Sequence, residues 1–371
     1  MADVKIETVQ CDLPLNLYGP GPDLNNARGI ELISLTPDLE VSFDAFQLRH
    51  RLDTPTARLT YRSIFSGSYP ATLLPIARVL ADGDAAKLIF NVGHRTTIES
   101  ERPDPLEIEA VILPMKNFHG SSWTTLCISS QVGCRMGCTF CQTGRMGLIS
   151  QLSAGHIISQ VISARRWLEE NRPGVAIKNI VFMGMGEPLD NADAVFTAIR
   201  RLTEPRGIAY APARITLSTV GRIDGLKRLA TERLPPVRLA ISITSADDAL
   251  RNRLMPINRA MPLAQLRQAL IALPRSSRSR YLIQYVLLKD VNDSTADAHL
   301  LVEWCRDLPV TVNVITYNPQ DPPVFEASPQ ERIDAFMAVL KANRILVKRR
   351  TTICQSRMGA CGQLGNPNLH R

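Results

Sequence analysis

Residues 124–144 read TTLCISSQVGCRMGCTFCQTG. An apolar, β-branched run, TTLCISS, gives way to a loop in which Cys134, Cys138 and Cys141 stand in the spacing C-x3-C-x2-C. The run is the first of six of its kind. NIVFMGMG, RITLSTV, VRLAISIT, YLIQYVLL and TVNVITYN follow it along the chain, with helical periodicity between them. Ile157, Ile158, Val161, Ile162 and Leu168 trace one helical face, opened by Ser153 as a cap and closed by Pro173-Gly174. Nearly continuous apolar strands alternating with helices imply a parallel sheet. Six such units predict an α/β fold, an incomplete TIM-like (β/α)6 barrel rather than an open doubly wound sheet. In either architecture function gathers where the strands end.

The strand ends carry the unusual residues. The cysteine loop follows the first strand, and Gly184-Met185-Gly186-Glu187-Pro188 ends the second. Ser218 lies at the end of the third, Ser242 and Thr244 at the end of the fourth, and Asn318 at the end of the sixth. Any one of these reads as a simple turn. Their recurrence points to a ligand lying across the barrel mouth.

The chain has 371 residues, 45% hydrophobic and 21% charged, the composition of a soluble globular protein. No apolar stretch is long enough to span a membrane. The start, MADVKIETVQ, lacks the basic-then-apolar pattern of a signal peptide, so a cytoplasmic location is expected. There the eight cysteines are better read as metal ligands or catalytic thiols than as structural disulfides. A formal net charge of +8 fits a polyanionic partner such as RNA, or simply a basic solvated surface. Short basic clusters occur at RSSRSR (275–280) and KRR (348–350).

Upstream of the barrel the pattern is less regular. DLPLNLYGPGPDLNN reads as an extended leader. SFDAFQLRHRL and ATLLPIARVLADG each read as a short amphipathic helix. AKLIFNV and IEAVILP read as strands, paired across GHRTTIESERPDPL. The expected division is an N-terminal accessory region (1–85), a β-hairpin extension (86–122), the barrel core (123–350) and a C-terminal loop (351–371).

Three cysteines leave a tetrahedral zinc site one ligand short, unless His119 or His156 completes it. An iron–sulfur cluster usually takes four thiolates. Held by three, it keeps one iron free for substrate. C-x3-C-x2-C is the spacing of the radical S-adenosylmethionine (SAM) enzymes, in which SAM chelates that iron.

The wider set of motifs resembles the RlmN/Cfr family. CISSQVGCRMGCTFCQTG, GMGEP, LSTVG, LMPIN, VLLKDVNDS, YNP and ACGQL occur in that family's order, over roughly residues 86–364. The resemblance implies a radical SAM methyltransferase acting on carbon 2 or carbon 8 of adenine in ribosomal or transfer RNA. It implies one [4Fe–4S] cluster, two SAM per turnover, and an electron donor such as flavodoxin or ferredoxin. It implies Cys134, Cys138 and Cys141 as cluster ligands. Gly186, Glu187, Ser218, Ser242, Ile243, Thr244 and Asn318 are implied SAM contacts. Cys361 is implied as the methyl carrier, Cys127 as the thiol that releases product by forming a disulfide with it, and Glu109 as the proton acceptor. Cys11, Cys305 and Cys354 match no motif; Cys305 reads as a small buried hydrophobe.

The local residues suit the carrier role. Cys361 lies between Gly359-Ala360 and Gly362, a small, pliable stretch for a thiol that must approach more than one partner. Carbons 2 and 8 of adenine are electron-poor and do not attack a sulfonium methyl as an amine would, so a radical route is needed. Three features depart from the family. SITS stands where SLHA is usual, SRMGACGQL lacks an acidic residue before the carrier, and residues 1–80 show no clear helical accessory domain. Two other readings stay open: the same chemistry on a nucleoside or biosynthetic intermediate, and a metal-bearing RNA-binding module without catalysis.

Overall fold

The computed structural model describes residues 30–35, 37–66, 73–96, 104–116, 120–274, 279–350, 352–366 and 368–369. The leader, Cys11, His119 and most of RSSRSR lie outside them. In chain order, β1 (Ile30–Leu32), α1 (Phe43–His50), α2 (Thr54–Ser66), β2 (Ile76–Asp82), β3 (Ala85–Arg95) and β4 (Asp104–Lys116) precede the barrel. Then come β5 (Ser122–Cys127), β6 (Gln131–Cys134), α3 (Gln142–Arg145), β7 (Gly147–Gln151), α4 (Ala154–Asn171), β8 (Ile177–Phe182), α5 (Ala192–Leu202), β9 (Ile215–Thr219) and α6 (Ile223–Thr231). The last part holds β10 (Arg238–Ser242), α7 (Asp248–Leu254), α8 (Leu263–Ala272), β11 (Tyr281–Leu287), α9 (Thr295–Cys305), β12 (Val310–Thr316), α10 (Gln330–Ala342) and β13 (Leu346–Arg350).

All six apolar runs are strands, and all pair in parallel in the order β5-β8-β9-β10-β11-β12. β13 adds a parallel strand beyond β12, so the KRR cluster belongs to the sheet. No pairing joins β13 back to β5 among the described residues, so the barrel is partial. On its other side β5 pairs antiparallel with β4, and β4 with β3. This is the hairpin expected across GHRTTIESERPDPL.

The first barrel helix shows how sequence sets an element. Ser153 Oγ accepts from His156 N at 3.3 Å, and His156 Nδ1 turns back to Ser153 N, so both ends of the capping box close. The expected apolar face is buried at Ile157, Ile158, Val161, Ile162 and Leu168. The helix ends at Asn171, just before Pro173-Gly174.

ATLLPIARVLADG corrects one expectation: it contains β2, not a helix. Its apolar residues satisfy a helical spacing loosely, but β3 offers backbone partners from Ile76 to Asp82, with one irregularity between Ile76 and Arg78. SFDAFQLRHRL does form α1, capped by Ser42. α2 follows it, with Asp53 Oδ1 accepting from Thr56 N at 3.0 Å. Phe43, Phe46, Tyr61 and Phe65 of these two helices are buried against one another. The Arg206 guanidinium lies 4.3 Å over Phe43 and pairs with Asp44, fastening the helices to the barrel. A small helical unit is thus present where the sequence pattern did not reveal one. No described helix is long and apolar enough to cross a membrane.

Candidate active site

Strand register gathers the site. Val111 stands opposite Cys127, Cys127 beside Val181, Val181 beside Thr216, and Ser218 beside Ala240. Ser242 is beside Gln284, and Ile315 beside Arg350. Side chains alternate along each strand, so Glu109, Cys127, Ser218, Ser242, Gln284 and Arg350 share the inner face of the curved sheet.

The cluster loop runs from β6 into α3. Cys134 and Cys138 are buried and Cys141 is half-buried, all as free thiols. Burial pushes all three thiols up; Cys138 and Cys141 press Cys134 further, and Cys141 presses Cys138. Such a set resists ionisation on its own and is relieved by bound cations, which fits a thiolate-held cluster. Among the described residues no three His, Cys, Asp or Glu side chains converge on a single ion. His156, one candidate to complete a zinc site, is spent in the capping box and on the Ile33 carbonyl at 3.0 Å.

Beside this loop, Gly186 has φ +101°, and a Cβ there would stand 2.6 Å from Gln131 Cβ. Gly186→Ala is therefore expected to destabilise the fold by ~1–3 kcal/mol, read from denaturant unfolding. The Glu187 carboxylate is fully engaged: Oε1 accepts from Leu189 N at 3.0 Å and Oε2 from Val220 N at 2.8 Å. It ties the end of β8 to the end of β9, and burial raises it to about 7. Ser218 and Ser242 are half-buried at neighbouring strand ends. Ile243 follows Ser242, and both carbonyls accept from the buried Arg251 guanidinium. Thr244 has φ +56° and Oγ1 buried without a partner. Both amide atoms of Gln284 are likewise buried and unpartnered. These orphaned groups at the barrel mouth suit a polar cofactor, and SAM offers amino, carboxylate and ribose groups to them.

The carrier loop is pinned rather than loose. Asn318 Nδ2 donates to the Cys361 carbonyl at 3.1 Å, while Asn318 Oδ1 accepts from Thr352 Oγ1 at 3.0 Å. Gln320 Nε2 donates to Phe140 O at 2.6 Å and to Gly362 O at 3.2 Å, bridging the cluster loop and the carrier loop. Thr143 Oγ1 donates to Leu364 O at 2.6 Å, and Gln363 Nε2 to Pro319 O at 2.6 Å. Cys361 itself is half-buried. It lines an open cleft with Cys127, Met183, Asn318 and Arg350. Cys127 is buried and pushed up to about 12 by burial first and then by Cys361; Arg350 pulls it down. Cys361 also presses on Cys141. The Cys361 thiol thus lies within electrostatic reach of both Cys141 of the cluster loop and Cys127. Both are free thiols here.

Glu109 is buried on β4. Lys87 Nζ donates to its Oε1 at 3.2 Å. Sequence reasoning missed Lys87, Gln284, Gln320 and Arg350. The alternation of β3, β11 and β13, combined with their register, brings Lys87, Gln284 and Arg350 to this face; Gln320 stands in the loop after β12. Cys305 is buried as expected, and Cys354 is buried under the carrier loop.

An open parallel barrel with a three-cysteine loop at its mouth defines the radical SAM class, and the Radical SAM superfamily matches residues 128–302. The protein named Probable dual-specificity RNA methyltransferase RlmN 1, of Protochlamydia amoebophila, is 41% identical over 300 residues, 81% of this chain and 78% of its own. Dual-specificity RNA methyltransferase RlmN of Syntrophobacter fumaroxidans is 42% identical over 286 residues, 76% of this chain and 77% of its own. A radical SAM methyltransferase of Sphaerobacter thermophilus superposes with a TM-score of 0.70 at 34% identity, covering 87% of this chain and 88% of that one. The chain belongs to the RlmN family of radical SAM methyltransferases.

Proposed function

We propose that this enzyme methylates carbon 2 or carbon 8 of an adenine in ribosomal or transfer RNA, through a methyl group carried on Cys361. The observation that carries this reading is the shared cleft of Cys361 and Cys127 beside the cluster loop. Similarity to proteins named RNA methyltransferases, together with the +8 charge, supports RNA as substrate.

Cys134, Cys138 and Cys141 would hold the [4Fe–4S] cluster. Gly186, Glu187, Ser218, the Ser242–Thr244 segment and Gln284 would surround SAM. When bound, this pair supplies the radical that activates the methyl carbon on Cys361, and two SAM are consumed per turnover. The chain's own residues do the rest. Asn318 and Gln320 hold the carrier loop over the cleft. Glu109 takes the ring proton once carbon has joined carbon. The Cys127 thiolate then attacks Cys361 Sγ. The sulfur–sulfur bond forms, the sulfur–carbon bond breaks with its electron pair left on carbon, and that carbon takes a proton to become the product methyl. An external donor of the flavodoxin or ferredoxin class would supply the electron that starts the radical step, the unpaired electron left on the ring when carbon joins carbon would return to the oxidised cluster, and a dithiol reductant would reopen the Cys127–Cys361 disulfide.

The test is turnover with SAM labelled in its methyl group, offered total RNA from a strain lacking the protein and, separately, a pool of nucleosides. Label is expected in adenine of the RNA. Binding to that RNA is expected to fall steeply between low and moderate salt, as phosphate contacts release counterions. Salt-insensitive labelling of free nucleosides alone would transfer the same chemistry to a small molecule.

A further inference from the structure

Lys87 occupies a position unusual for a lysine. Its side chain is 7% exposed. Its ammonium donates to two acceptors at equal distance: Glu109 Oε1 and the carbonyl of Met358, both 3.2 Å away. Glu109 belongs to β4, at the floor of the site. Met358 stands three residues before Cys361, in the loop that carries the thiol. One cation therefore ties the expected base to the expected carrier. Register explains the meeting. Lys87 on β3 is opposite Val111, and Glu109 is two residues from Val111 on the same face.

The second carboxylate oxygen is the counterpart. Oε2 of Glu109 is buried and closes no hydrogen bond, although the Gly365 N–H approaches the carboxyl. A buried carboxylate with one oxygen held by a cation and the other unclaimed has one oxygen available for a proton. We propose that Lys87 is a positioning residue for methyl transfer: its ammonium holds Glu109 Oε1 and leaves Oε2 free for a proton, and the same ammonium holds the loop bearing Cys361 by the Met358 carbonyl. This rests on the reading of Glu109 as the proton acceptor.

The charge argument has a definite sign. Burial raises the Glu109 carboxyl, and the Lys87 cation opposes that rise. The other titratable groups around it are Glu107 on β4, which raises it, Cys354 in the loop after β13, and Cys127 on β5. None is a cation. Removing the Lys87 charge leaves the carboxyl higher still. The fraction able to accept a proton at neutral pH then falls and returns only as pH rises. Methyl loading of Cys361 needs no base at Glu109 and is unaffected.

The experiment uses the cluster-loaded full-length enzyme with SAM and RNA, in wild-type, Lys87→Met, Lys87→Gln, Lys87→Arg and Glu109→Gln forms. Two readouts are taken across pH: methyl on Cys361 by mass spectrometry, and methylated adenine. Lys87→Met and Lys87→Gln are expected to load Cys361 normally and to lose about 100-fold in product at neutral pH, the scale of a general base. Their acid limb should move to higher pH. Lys87→Gln keeps a donor for Met358 without the charge, so it serves as the neutral variant should Lys87→Met not fold. Lys87→Arg should retain the wild-type limb. A neutral variant with an unmoved acid limb overturns the proposal, as does loss of Cys361 loading in a folded neutral variant. Glu109→Gln separates the two readings. If it turns over like wild type, the base assignment itself fails. If it stalls while the neutral Lys87 variants do not, only the role of Lys87 fails.

Discussion

Replacing Cys134, Cys138 or Cys141 by Ala is expected to yield a folded protein without iron, where the wild-type chain prepared without oxygen holds about four irons. The same variants should form no 5′-deoxyadenosine from SAM. The fold is expected to survive because other residues hold the loop in place. Gln131 Oε1 accepts from Glu187 N at 2.8 Å and Asp190 Oδ2 accepts from Gln131 Nε2 at 2.9 Å. Arg135 Nε lies 2.8 Å from the same Asp190 oxygen. Thr139 N donates to Leu254 O at 3.0 Å, and Gln142 N to Gly362 O at 2.8 Å. None of these contacts uses a thiol. Unfolding midpoints of the iron-free variants should therefore match that of iron-free wild type. A wild-type preparation with stoichiometric zinc and no iron would overturn the cluster.

The barrel was legible because each of its strands is a short, mostly apolar run and all but YLIQYVLL end in an unusual small or polar residue. TTLCISS and NIVFMGMG need no tertiary context to read as buried strands. β2 was not legible. Its strand is half-exposed along an edge, so neither period is strong, and the partner that decides it lies in β3. α2 carried a readable signal, Asp53 before Pro55 with Ala57, Tyr61, Ile64 and Phe65 on one face, but sits among breakers that masked it. The site divides the same way. Cys361 and Asn318 are conspicuous in ACGQL and YNP. Their relation is not, since the hydrogen bond joining them spans 43 positions. The expectation of a pliable stretch around Cys361 also missed what Gln363 does. Gln363 Oε1 accepts from Ala360 N at 3.1 Å, folding ACGQL back on itself. Short side chains at 359–362 allow that tight turn, and distant side chains then fix it.

Cys361→Ala and Cys127→Ala are both expected to abolish multiple turnover, but at different points. Without the Cys361 thiol no methyl is loaded on the protein, and RNA is recovered unchanged. Without Cys127, loading proceeds, because Cys361 lines the cleft and remains half-buried. Carbon then joins carbon, and nothing is left to break the sulfur–carbon bond. The expected species is protein joined to RNA through a thioether at Cys361, visible as a covalent complex by mass spectrometry. Cys354 is another thiol close to the loop that bears Cys361. A Cβ on Gly359 would meet Cys354 Sγ at 2.7 Å. It is buried beneath the loop, packed toward Lys87 and Glu109 rather than into the cleft. Cys354→Ser should therefore load and release normally. An adduct mapped to Cys354, or continued turnover by Cys127→Ala, would show that the wrong thiol has been assigned to release. The energetics favour the assignment. Burial holds Cys127 well above its ordinary range, and Arg350 in the same cleft is the cation that opposes the rise. A thiol kept protonated does not attack the methyl-bearing sulfur early. Release then waits until the adduct fills the cleft, which makes the Cys127→Ala complex a stalled late species rather than an unloaded enzyme.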